Sequence, residues 1–151
     1  MVLLLVDVIY VVYEELQCIY KIFYLYFIYI LYMIFDIIKL AGIILVLDIV
    51  FLTLMSKQFN ILVRDIQGTP LNFRSLSALI CYIFIITLVY YFIVLKKASY
   101  TEAFLLGLCV YGIYETTNYA LFNQWKPHIV VTDTIWGGIL FSSSYFLFKL
   151  L

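Results

Sequence analysis

The sequence predicts an all-α integral membrane helical bundle, with four transmembrane helices and a fifth candidate at the N-terminus. Two observations carry this. Hydrophobic residues make up 67% of the 151-residue chain, charged residues only 12%, and the mean hydropathy is +1.13. An ordinary soluble domain is roughly 45 to 50% apolar and about 25% charged, so one core of this size has no room for so much apolar surface. The second observation is spacing: apolar runs of the roughly 20 residues needed to cross a bilayer recur along the chain, separated by short polar connections.

The N-terminal 36 residues form a hydrophobic extension, charged only at Asp7, Glu14, Glu15, Lys21 and Asp36. Its early charges are acidic and no small-residue cleavage site follows, so it does not read as a signal peptide. Residues 16–35 offer the fifth candidate span if Lys21 reaches back to the interface; Tyr20, Tyr24, Tyr26, Tyr29 and Tyr32 make it rich in tyrosine. Met33 lies just before the next span, which raises the expectation that residues 1–32 are a non-native upstream extension; an intact native mass near 17.8 kDa would overturn it.

Residues 37–151 carry the four transmembrane helices. The first runs over 37–55, with Asp48 near its middle. Residues 56–74 gather Lys57, Arg64, Asp65 and Arg74 around Gly68-Thr69-Pro70, the punctuation of an extramembrane loop with room for a short surface helix. The second span, 75–95, is uncharged; residues 96–102 form a polar connection; the third, 103–125, carries Glu115. At 123–128, Trp125 suits an interface and Pro127 the first turn of a following helix, so the last two spans make a hairpin. The fourth span, 129–148, holds Asp133 near its start and is closed by Lys149. Lys and Arg divide four against four between the two sides and give no orientation.

The composition also excludes chemistries. Nine basic residues balance nine acidic ones without clustering, so no nucleic-acid partner is expected. Cys18, Cys81 and Cys109 are scattered and odd in number, and are expected to be buried small hydrophobes rather than a disulfide or zinc set. His128 is the only histidine, which leaves no histidine-rich metal enzyme and no expected metal or cofactor. The expected partners are the lipid bilayer and, if the protein conducts, further copies of itself.

Three acids inside spanning helices stand out, because each costs about 2.5 to 3.5 kcal/mol on the insertion scale and no Lys or Arg lies at comparable depth. Tyr111, Glu115 and Asn118 share one face of the third span, with Thr116 and Thr117 close by, and Asp133, Trp136 and Gly137 share one face of the fourth. The hairpin brings Asn118 and Asp133 to similar depth, so a hydrogen bond between them is expected. The candidate polar cluster is therefore Asp48, Tyr111, Glu115, Thr117, Asn118, Asp133 and Trp136. Small residues supply the packing: Thr134, Gly138 and Ser142 form a seam at helical spacing, with Gly112 and Gly137 beside them.

The stretch from Tyr111 to Gly138 resembles the closing hairpin of domain-of-unknown-function family 2177, predicted small membrane proteins. Tyr111-Gly112, then Tyr114, Thr117 and Asn118, then Trp125, then Asp133, Trp136 and Gly137 match that family's motifs in order. Glu115 stands where the family usually has aspartate, and Asp48 and Phe51 take the places of an aspartate and a following tryptophan. The resemblance covers about residues 37–151. It implies a four-helix membrane domain of the kind found in bacteria and, in a form like this one, in large DNA viruses, with no established activity.

The leading functional reading is permeation of a proton, cation or small solute through the acidic cluster, with Asn118 and Thr117 orienting the carboxyls. The alternatives are an intramembrane lipid-modifying enzyme using carboxyls as acid and base, and a structural or assembly protein whose acids lock helices together.

Overall fold

The computed structural model describes residues 2–151, with side chains described for Leu16, Gln17 and 19–151. All regular structure among these residues is helical: α1 (Val2–Gln67), α2 (Ser75–Leu88), α3 (Tyr100–Leu121) and α4 (Pro127–Leu150), with a π-helical turn over Val89–Val94 extending α2. The chain divides into two compact units, Met1–Asp36 and Ile37–Leu151. In the first unit the described aromatic residues of α1 are largely exposed, with Tyr20, Phe23 and Tyr32 among the most open.

In the second unit, α1 turns one stripe inward. Leu40, Ile44, Asp48, Phe51, Met55 and Leu62 are buried, spaced three, four or seven residues apart, while Val46, Ile49, Val50 and Leu54 are exposed apolar side chains. That is the pattern of a helix with one face on a bundle and the other toward lipid. The helix also corrects the expected loop: residues 56–67 continue α1, and only 68–74 leave it. No Gly or Pro falls within residues 56–67, and Leu62 is buried, so nothing stops the helix before Gly68. Gly68 then takes φ +71° and its N–H reaches the Arg64 carbonyl at 2.9 Å, the left-handed stop that glycine adopts most readily.

Helix α2 ends in a feature the sequence did not announce. Over Val89–Val94 the ladder widens, and the N–H of Leu95 bonds the Tyr90 carbonyl at 2.9 Å. Widened turns of this kind re-aim side chains and are rare; here Val89, Tyr90 and Ile93 are all buried. Lys97 closes the segment at φ +50°. Ser99 then caps α3: its hydroxyl accepts from the Glu102 N–H at 3.2 Å while its own N–H donates to the Glu102 carboxylate at 2.6 Å.

The hairpin of α3 and α4 is the tightest packing in the unit. A Cβ on Gly107 would strike the Gly137 carbonyl, and one on Gly138 would lie 2.7 Å from the Phe104 ring. The two backbones therefore approach as closely as small residues permit. Of the expected seam, Gly112 faces Thr134, Gly137 carries the Tyr111 ring, and Ser142 bonds back to the Gly138 carbonyl at 2.8 Å. Gly107, which the sequence reading did not single out, is the residue α3 contributes to the closest approach.

Candidate functional site: a buried carboxyl cluster

Three helices of the second unit deliver one acid each. Asp48 is 6% exposed, Glu115 0% and Asp133 8%. Asp48 sits on the inward stripe of α1, Glu115 on the face of α3 that meets α4, and Asp133 on the facing side of α4, six residues past the proline that starts that helix. None of the three is ion-paired; among the described residues the ion pair present is Lys126 with Asp65, at 3.9 Å and half-exposed.

The cluster has two unlike halves. Asp48 is satisfied at both oxygens: the Tyr82 hydroxyl donates to one at 2.7 Å and the Trp136 indole N–H to the other at 2.9 Å. The Trp136 ring lies flat on Phe51, centroids 4.4 Å apart and planes 5° apart. One carboxylate thus ties α1 to both α2 and α4, held by neutral donors. Tyr82 was not anticipated, because a lone tyrosine in an otherwise apolar span gives no spacing signal.

The other half is incomplete. The Trp125 indole N–H donates to one Glu115 oxygen at 2.7 Å, and the other Glu115 oxygen is buried with no donor. Asp133 lies on the facing side of α4, and the two carboxyls act on one another electrostatically. Beside them, Asn118 Nδ2 and Thr134 Oγ1 are also buried without hydrogen-bond partners. Buried polar atoms left unpaired cost roughly 1 to 3 kcal/mol each, so this half of the cluster carries an unmet hydrogen-bonding demand.

Several expected placements change. The expected hydrogen bond from Asn118 to Asp133 is absent, Asn118 Nδ2 having no partner, and Glu115 is the nearer acid in register: Tyr111 packs on Gly137, and one turn onward along α3 and one turn back along α4 lie residues 115 and 133. Thr117 is exposed, on the side of α3 away from Glu115, whereas Tyr111 is packed on Gly137 and edge-on to Phe141 at 6.3 Å. Trp125 folds back onto the buried acid and is only half-exposed, since its indole N–H finds a carboxylate there. Cys81 and Cys109 are exposed, not buried, and Cys18 lies outside the described side chains.

Helices with apolar outer faces around sealed, uncharged-donor carboxyl contacts define an all-helical membrane protein. Two of its helical stretches, Ile19–Gln67 and Ser75–Val94, are long and apolar enough to cross a bilayer. The chain belongs to the predicted membrane protein family DUF2177, whose model matches residues 32–147. Comparison with curated proteins and with solved structures gave no match.

Proposed function

We propose that residues 37–151 form a multi-pass bundle whose four helical segments all cross the membrane, and that the Glu115–Asp133 pair takes up and passes protons. At about 1.5 Å per residue, α3 and α4 reach the roughly 30 Å that a crossing requires. The observation that carries the functional reading is the fully buried Glu115 carboxyl, held at one oxygen by Trp125 and lacking a donor at the other while facing a second carboxyl. A proton placed between the two carboxyls supplies the missing donor and removes one of two like charges from apolar surroundings. A bare metal cation suits the pair less well, since hard cations gather about six or more oxygens and Asp48 has both of its own engaged.

Proton flux into liposomes containing the purified full chain tests this. Wild type should conduct, and Glu115→Gln and Asp133→Asn should each abolish flux while the protein stays folded. Absent wild-type flux, or flux unchanged in both variants, rejects the reading. A structural role is favoured for Asp48 alone, because its two donors come from two other helices; Asp48→Asn should weaken the fold and leave flux per folded molecule intact.

A further inference from the structure

One end of the second unit concentrates lysines, and the structure fixes where their ammonium groups sit. Lys39 on α1 lies over the Phe148 ring of α4 at 4.5 Å. The next residue along α4, Lys149, lies over Tyr145 at 4.1 Å and over Tyr100 at 4.9 Å. Tyr100 opens α3 directly after the connection that holds Lys96 and Lys97, and Lys96 lies over Phe92 at 4.9 Å. These contacts link α1, the end of the π-helical turn, the start of α3 and the end of α4 at a single end of the unit. The acids near these lysines are Glu102, whose carboxylate is engaged by Ser99, and Asp36, three residues before Lys39 on α1.

We propose that this lysine–aromatic collar is a binding surface for the headgroups of anionic phospholipids. Three features fit that partner. Aromatic faces hold three of the lysines without neutralising them, so their positive charge stays available to a phosphate. The rings themselves are the amphipathic type that settles at headgroup level. The collar caps the ends of the helices, where a bilayer surface lies if those helices cross it, and attraction to an anionic surface accumulates lysine by lysine. A membrane surface accounts for both the rings and the charges; free phosphate accounts only for the charges.

The test uses the purified full chain in neutral detergent, supplied with mixed micelles of phosphatidylglycerol or of phosphatidylcholine. Bound lipid is read by native mass spectrometry and stability by thermal unfolding. Phosphatidylglycerol should be retained preferentially and should raise the melting temperature above its value in phosphatidylcholine. In the variant Lys96→Gln, Lys97→Gln, Lys149→Gln the preference should fall by about fivefold per lysine removed. The matched Arg substitutions should keep it, as should Lys57→Gln with Arg74→Gln outside the collar. Wild type supplies an independent readout: its preference should collapse as the salt rises from about 0.05 to about 0.5 M. Equal retention of the two lipids, a preference that survives the Gln variant or high salt, or an equal stabilisation by inorganic phosphate would overturn the proposal.

Discussion

Replacing Trp136 by phenylalanine isolates one hydrogen bond. The substitution removes the indole N–H that donates to Asp48 at 2.9 Å and leaves an aromatic ring to stack on Phe51. Asp48 is 6% exposed and keeps the Tyr82 hydroxyl at 2.7 Å, so it passes from two donors to one without gaining water. Hydrogen bonds to charged groups contribute about 1.5 to 3 kcal/mol in soluble proteins, whereas polar pairs inside membranes reach at most about 1.7. The expected loss is therefore about 1.5 kcal/mol, roughly tenfold in the unfolding equilibrium. Equilibrium unfolding in mixed micelles measures it, and a double-mutant cycle with Asp48→Asn assigns it: the coupling should account for most of the loss. Strict additivity with Asp48→Asn, or a Trp136→Phe protein as stable as wild type, would refute the assignment of Asp48 as the tie between α1 and α4.

The hairpin and caps give further tests. Gly107→Ala should destabilise by about 3 kcal/mol or more, because the new methyl meets the Gly137 carbonyl, which is backbone and has nowhere to move; Gly112→Ala, whose methyl meets Thr134 Cγ2 at 3.3 Å, should cost about 1 kcal/mol or less. Thermal unfolding of the two variants side by side checks the contrast. Trp125→Phe leaves a fully buried Glu115 with no neutral donor at either oxygen and should cost about 1 to 3 kcal/mol, read in the same unfolding assay, with Glu115→Gln partly rescuing it. The Glu102 carboxyl is held below its ordinary value, first by the Ser99 N–H and then by the Ser99 hydroxyl. Since the folded value is the lower one, its contribution is present above the unfolded range near about pH 4.3 and disappears as pH falls through the folded value. Melting temperature against pH should therefore lose this acid-side component in Glu102→Gln, which keeps an acceptor but cannot titrate.

Much of the layout was legible because membrane crossing is a one-dimensional constraint. Gly68 and Pro127 terminate and start helices where their backbone preferences say they should, and the short connection at 123–128 folds α3 back on α4 as its length requires. The acids at 48, 115 and 133 declared themselves by their cost in apolar surroundings. What the sequence left dark depends on distance between segments. The widened turn at Val89–Val94 carries no Gly or Pro to mark it, and Tyr82 gains meaning only once α2 sets its hydroxyl against a carboxylate 34 residues away. The capping box at Ser99 and Glu102 was written in the sequence as S-x-x-E and could have been read.

By itself, then, the sequence determined that this chain is a helical membrane protein with three acids in its apolar stretches, because hydropathy and turn chemistry act locally and need no partner. Only the tertiary structure decided how those acids are used. The packing of Tyr111 on Gly137 in the close glycine-lined hairpin sets Glu115 toward Asp133, and α1 delivers Asp48 to Tyr82 and Trp136. Hydrogen bonds of under 3 Å between residues 34 and 88 positions apart are set by packing in three dimensions, and no local pattern encodes them.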